Sequence, residues 1–220
     1  MSARNVVSIG AVLGASGSGK SSLLKLELLA LDPPCRLAWD PKREYTRHGA
    51  AFSSVAELYR AVFKHERRAW RRRPGPWRVV FHPSGARRAM RKQFDVFCKI
   101  AAAAGNCWCI VDELADVTEP NWAPEGWEIL TRQGRHAGVT IRGASQRPAE
   151  IDKSFLGNAS HLAVFRLNAE GDIDRCAKLL DVPPASVRQL LPLEYITRDM
   201  LTGKVSEKNS IAPADLARLA

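Results

Sequence analysis

The chain has 220 residues, 45% hydrophobic and 25% charged, a globular balance that excludes an extensively disordered protein. Lys and Arg outnumber Asp and Glu by 33 to 23, a net +10 that points to a polyanionic partner such as DNA, RNA or an anionic membrane. Five cysteines at irregular spacing exclude a disulfide framework, and Cys107 and Cys109 lie too close for a CxxC metal pair, so buried thiols in a reducing cytosol are expected.

At the start, Arg4 precedes an apolar stretch as in a signal peptide, but the glycines that follow argue against one. No apolar run approaches the roughly 18 to 20 residues that cross a bilayer, so a soluble or peripheral protein is expected. Residues 6–13 read as a buried strand. Residues 19–30 read as a helix whose leucines 23, 24, 28 and 29 form an apolar stripe, stopped by Asp32-Pro-Pro. RLAWD is a short strand, and residues 53–70 form a helix capped by Ser53 or Ser54. WRVVFHP is a strand, residues 86–104 a helix closed by Gly105, and CWCIVDE an apolar strand ending in two carboxylates. A helix over 126–136, a strand over 139–146, the strand HLAVFRL and the helix GDIDRCAKLL follow. EYITRDMLTGKVSEK is a hairpin turning at Thr202-Gly203. Non-alternating apolar strands between helices predict an α/β domain with a mainly parallel sheet covered on both faces, over residues 1–210, with a helix or tail at 211–220.

Gly14, Ala15, Ser16, Gly17, Ser18, Gly19, Lys20 and Ser21 match G-x-x-x-x-G-K-[ST] between a strand and a helix, with Ser22 next. Glycines let the amides turn onto phosphate oxygens, the helix N-terminus adds partial positive charge, and Lys20 reaches the outer phosphates. Ser21 would hold Mg²⁺, so ATP and Mg²⁺ are the expected cofactors. A plain Gly-Ser turn is the bland reading, disfavoured by the lysine and the flanking elements. Asp112 ends an apolar strand where open α/β sheets place chemistry, and can order the Mg²⁺ shell. Glu113 can polarise a water for attack on the γ-phosphate.

Arg132 and Arg135 sit three apart, with His136 four from Arg132, so a helix would present them along one edge. Arg135 is the first candidate for an arginine supplied in trans to a neighbouring site, and Arg132 the second. A solvated helix end complementing the dipole is an equally open reading from spacing alone. Gln146 ends the next strand, where its neutral amide can sense the γ-phosphate or the attacking water without competing for Mg²⁺. A capping glutamine before Pro148 is the alternative. Arg67, Arg68, Arg71, Arg72 and Arg73, with Arg87 and Arg88, form basic clusters suited to DNA phosphates without sequence readout. A solvated face, or docking on an acidic capsid or membrane surface, competes with that reading. Trp70 and Trp77 are expected to pack rather than stack on bases.

GRHAGVTIRGASQRP, together with the phosphate loop, IVDE and WDPKREY, resembles the FtsK/HerA branch of P-loop motor ATPases over nearly the whole chain to about residue 205. At this length, without an added winged helix or barrel, it is similar to the genome-packaging ATPases of tailless icosahedral phages with an internal membrane. The resemblance implies a RecA-like fold. It implies an ATP-driven translocase of double-stranded DNA, filling a capsid as a hexamer-like ring. Lys20, Ser21, Asp112, Glu113, Arg135 and Gln146 then take the nucleotide and finger roles. Capsid-vertex or viral membrane proteins would be further partners, in the host bacterial cytoplasm or on the virion. The chain also resembles the ATPase part of Zot-like filamentous-phage assembly proteins, for which the basic patch would face lipid. A small-molecule kinase is a rival from another class.

Overall fold

Apolar runs flanked by glycine and proline become strands, and amphipathic runs become the helices between them. The computed structural model describes residues 7–63 and 76–219. In chain order these form β1 (Ile9–Leu13), α1 (Lys20–Leu31), β2 (Cys35–Trp39), β3 (Ala50–Phe52), α2 (Val55–Phe63), β4 (Trp77–Phe81) and α3 (Arg87–Ala104). There follow β5 (Trp108–Val111), α4 (Glu125–Gln133), β6 (Thr140–Ser145), α5 (Lys153–Asn158), β7 (His161–Phe165) and α6 (Glu170–Leu180). The chain closes with α7 (Pro184–Arg188), β8 (Glu194–Asp199), β9 (Asn209–Ser210) and α8 (Pro213–Ala217). The strand order is β3-β4-β2-β5-β6-β1-β7-β8-β9. β1 runs parallel to β7, β2 to β4 and β5, and β3 to β4, whereas β7, β8 and β9 pair antiparallel. The expected mainly parallel α/β sheet with a C-terminal hairpin is what forms, and an isolated bridge between Arg198 and Val205 helps close that hairpin.

Contacts divide the chain into two units, one of residues 1–8, 33–112 and 123–141, the other of 9–32, 113–122 and 142–220. The first is built on an aromatic cluster in which the Trp39 ring lies 5.0 Å from Phe94 and 5.5 Å from both Phe81 and Phe97. Trp127 adds to it, 5.4 Å from Phe94. These rings bury a large apolar area at the root of β2 and α3, and edge-on contacts favour their quadrupoles. α4 lies against α3 because residue 126 is glycine: a Cβ there would stand 2.3 Å from the Asp95 carbonyl oxygen. In its place the Gly126 amide donates to Asp95 Oδ1 at 2.7 Å. Lys99 bridges Glu125 and Asp95, which hold its ammonium above its ordinary range.

The second unit holds the phosphate loop. In α1, Leu24 and Leu28 are buried, but Leu29 is 42% exposed, so the apolar stripe is narrower than the leucine spacing suggests. A buried ion pair adds to the docking of this helix. Arg142 on β6 clasps Glu27 on α1 through Nε to both carboxylate oxygens, at 3.0 and 2.9 Å, and Nη2 to Oε1 at 2.6 Å. Gly10 on β1 leaves the room for this, since a Cβ there would meet Arg142 Cδ at 2.9 Å.

Several elements differ from the sequence reading. The helix expected over 53–70 is described only as α2, and residues 64–75 lie outside the described residues, with Arg67, Arg68, Trp70, Arg71, Arg72 and Arg73. The helix expected to reach residue 136 ends at Gln133. A turn follows, closed by the Gly138 amide on the Arg135 carbonyl at 3.1 Å and the Val139 amide on the Gly134 carbonyl at 2.8 Å. With Gly138 at φ 75°, this is the paired-bond glycine motif that ends helices. β3, α5 and α7 were not anticipated, being only three, six and five residues long.

Candidate active site

The phosphate loop leaves β1 and enters α1 with glycines where side chains do not fit. Gly14, Gly17 and Gly19 have φ of 159°, 70° and 115°. A Cβ on Gly14 would lie 2.6 Å from Phe165 Cβ and 2.7 Å from Ser18 Oγ. The loop's outer side is tied to the strand ends around it. The Gly14 amide donates to the Ser145 carbonyl at 3.2 Å and the Ala15 amide to the Arg166 carbonyl at 2.8 Å. Ser18 donates to Ala15 at 3.3 Å, and Lys20 Nζ rests on the same Ala15 carbonyl at 2.8 Å.

These bonds fix the curl of the loop, and the groups left over suit a polyphosphate. Among the described residues the amides of Gly17 and Gly19 donate to no protein acceptor, and the Ser18 hydroxyl, in a residue 4% exposed, has no partner. A buried hydroxyl such as that of Ser18 is rarely left without a partner unless a ligand completes it, and the two amides beside it are accessible to one. The first turn of α1 carries no acidic residue, so its positive end faces the loop without internal neutralisation. Ser21 opens the same turn.

Asp112 and Glu113 follow β5. Asp112 is 1% exposed, and its amide donates to the Trp39 carbonyl at 3.1 Å. Among the described residues no three His, Cys, Asp or Glu gather into a metal cluster. A serine hydroxyl and one carboxylate are donors that suit Mg²⁺, which keeps waters and substrate phosphates in its shell rather than filling a protein cage.

Glu113 adopts the left-handed conformation, φ 58° and ψ 65°, uncommon for a residue with a side chain. It is 7% exposed, and both of its carboxylate oxygens are taken by one residue. Gln146 donates its backbone amide to Glu113 Oε1 at 3.2 Å and its side-chain amide to Oε2. Gln146 follows Ser145, whose carbonyl holds Gly14, so cradle, glutamine and glutamate form one constellation within the second unit.

The turn after Gln146 is fixed in its own right. Arg147 Nε reaches Asp172 Oδ2 at 3.2 Å, Nη2 reaches Glu150 at 2.7 Å, and the Ala149 amide donates to Asp172 Oδ1 at 2.8 Å. Asp172, 2% exposed in the first turn of α6, thereby anchors the strand end that carries Gln146. Sequence reading missed Asp172 and the Glu113–Gln146 pairing, because both depend on strand order rather than on local pattern.

The cations singled out in the sequence, for a neighbouring copy's site or for DNA, lie on the first unit where the structure describes them. Arg132 is exposed in the last turn of α4, and Arg135 is exposed in the turn that follows it. Both belong to the first unit. Arg87 and Arg88 open α3 and are exposed. Arg91 and Lys92 follow within the next turn. Trp77 is 8% exposed and packs, as expected. No helix among the described residues is long and apolar enough to cross a membrane.

No family model matches the sequence. The genome-packaging NTPase B204 of Sulfolobus turreted icosahedral virus 2, solved with ATPγS, superposes with a TM-score of 0.71 over 94% of this chain and 98% of that one, at 16% identity. The chain has the fold of the P-loop NTPases. VirB4 of Thermoanaerobacter pseudethanolicus shares that P-loop NTPase fold, with a TM-score of 0.64 over 94% of this chain and 90% of that one, at 13% identity. In sequence, Protein P9 of Pseudoalteromonas phage PM2 is 28% identical over 183 residues, 81% of this chain and 78% of the relative. The likeness to viral packaging ATPases read from the sequence is borne out by these comparisons.

Proposed function

We propose that the chain is an Mg²⁺-dependent ATPase that drives double-stranded DNA into a viral capsid, working as a ring of copies. The observation that carries the reading is the buried Glu113 carboxylate held beside the phosphate cradle by Gln146. A binding module has no need of a carboxylate poised next to the terminal phosphate, whereas hydrolysis needs one to orient water. The likenesses to a viral packaging NTPase and a phage protein support the viral setting.

In this mechanism the amides of Gly17 and Gly19 and the Lys20 ammonium bind the phosphates; Ser21 would hold Mg²⁺ and Asp112 would order its shell. Mg²⁺, when bound, neutralises charge on the phosphate oxygens. Lys20 leaves the Ala15 carbonyl to reach the outer phosphates. Gln146 turns its side-chain amide from Glu113 toward the terminal phosphoryl group, which frees Glu113 Oε2 to accept a hydrogen bond from the attacking water. One residue thus links the base to the terminal phosphoryl group. Arg135 serves the neighbouring copy, with Arg132 second to it.

The basic opening of α3 supports the DNA partner. Arg87 and Arg88 sit at the positive end of an 18-residue helix with no acidic residue in its first turn and no side-chain cap. Cations there oppose the helix dipole at roughly 0.3 to 1 kcal/mol each, a cost that a bound phosphate reverses.

The test is ATP hydrolysis with and without duplex DNA, for the native protein, Arg135→Ala, Glu113→Gln and the two variants mixed. Duplex DNA is expected to stimulate the native protein. Each variant alone is nearly inactive, and mixing restores part of the turnover, because a Glu113→Gln copy lends its arginine to a neighbour with an intact carboxylate. No rescue, with monomers at high concentration, would remove the trans assignment.

A further inference from the structure

The C-terminal segment touches the phosphate loop at a point the nucleotide chemistry does not explain. The Leu193 amide donates to the Ser18 carbonyl at 2.9 Å, and the Ile211 amide donates to the Leu193 carbonyl at 3.0 Å. Leu193 adopts φ 68°, the left-handed region, which a leucine enters only against strain. Its Cδ2 and the Cδ1 of Ile211 lie 3.1 and 3.3 Å from where a Cβ on Gly19 would stand. Ile211 is 5% exposed, so it is anchored.

The Ser18 carbonyl and the Gly19 amide belong to one planar trans peptide, whose C=O and N–H point in opposite directions. A donor that fixes the carbonyl therefore fixes the direction of the amide. Gly19 needs this, because at φ 115° it lacks a side chain that would limit its rotation. Among the described residues its amide has no acceptor, so no other bond orients it. Three apolar side chains, Phe165 with Leu193 and Ile211, close over the same glycine from behind. The strain in Leu193 is what allows one residue to put its amide on Ser18 and its carbonyl on Ile211.

We propose that Leu193, backed by Ile211, is a positioning residue that aims the Gly19 amide at the β-phosphate of the bound nucleotide. The C-terminal hairpin is then part of the nucleotide site, although it supplies no group that touches the substrate. This rests on the ATPase reading above and deepens it.

The direct test replaces Leu193 by its α-hydroxy analogue, an ester that deletes the amide donor and keeps the side chain. Leu193→Gly keeps the donor and tolerates the left-handed conformation. Affinities for ADP and AMP are measured by calorimetry on the full chain, beside Lys20→Ala and a thermal melt. Loss of one oriented hydrogen bond predicts ADP binding weakened about tenfold in the ester, with AMP, which has no β-phosphate, unchanged. Leu193→Gly stays within about twofold of native for ADP, the donor being intact. If the ester does not fold, Ile211→Ala, which loosens the support behind Leu193, is read by the same ADP-to-AMP comparison.

Unchanged ADP affinity overturns the proposal, and so does an equal loss for ADP and AMP, which would mark a contact with base or ribose instead. Lys20→Ala separates the two levels of argument. If it leaves ADP binding intact, the phosphate-cradle reading itself fails. If it abolishes binding while the Leu193 and Ile211 variants bind normally, only the positioning role fails.

Discussion

The Glu27–Arg142 pair offers a quantitative check on how α1 is held. The Arg142 side chain is 10% exposed and that of Glu27 29%, so Glu27→Ala takes the carboxylate from a guanidinium that water barely reaches. Breaking a buried pair from one side costs about 3 to 5 kcal/mol, and the partial exposure of Glu27 places this case near about 3 kcal/mol. For a chain of this size that lowers the melting midpoint by roughly 6 to 12 °C. Replacing both partners together, Glu27→Met with Arg142→Leu, removes the buried charge and returns stability to within about 1 kcal/mol of native. Urea titrations of the native protein, Glu27→Met, Arg142→Leu and the double variant close the cycle, with Glu27→Ala measured beside them. Because α1 begins at Lys20 and β6 leads to Gln146, the single variant also weakens ATP turnover at temperatures where it is still folded. A Glu27→Ala cost under about 1 kcal/mol, or a double variant no better than the worse single, would refute the buried-pair argument.

Other perturbations follow from the same geometry. Asp172→Asn removes charge from the anchor of the turn after Gln146, and is expected to reduce kcat more than nucleotide affinity, read as a split between kcat and KM. Charge reversal at Arg87 and Arg88 weakens duplex binding alike for unrelated sequences and flattens its salt dependence by roughly one unit per lost phosphate contact, measured by fluorescence anisotropy across a salt series. Burial raises the thiols of Cys98, Cys107 and Cys109, and that of Cys176 to about 12, so native protein at pH 8 shows at most Cys35 reacting with a thiol reagent until denaturant is added. Gly126→Ala forces α4 off α3, because the new methyl would overlap the Asp95 carbonyl, and lowers the thermal midpoint without altering the ATP KM.

The phosphate cradle was legible in the sequence because its chemistry is local: glycines, lysine and serine at fixed spacing between a strand and a helix. Asp112 and Glu113 were legible for the same reason, as polar residues ending an apolar run. What escaped is long-range. Gln146 was placed near the phosphate, but not on Glu113, since that pairing spans 33 residues and depends on where β6 lies. Leu193 carries no sequence signal, because left-handed conformations are expected at glycine and asparagine, not leucine. α5 did have a local signal: Asp152 accepts bonds from Ser154 and Phe155 as a side-chain cap. The end of α4 was misplaced because Gly138 closes a looser turn that begins after Gln133, so the glycine marked the end of the curl and not of the regular helix.

The left-handed backbone at Glu113 sets two kinds of fitness against each other. Glycine or asparagine would occupy φ 58° with less strain, so a library of variants sorted purely for heat resistance should drift toward those residues at position 113. The same library sorted for nucleotide hydrolysis should keep glutamate and carry the conformational penalty from one generation to the next.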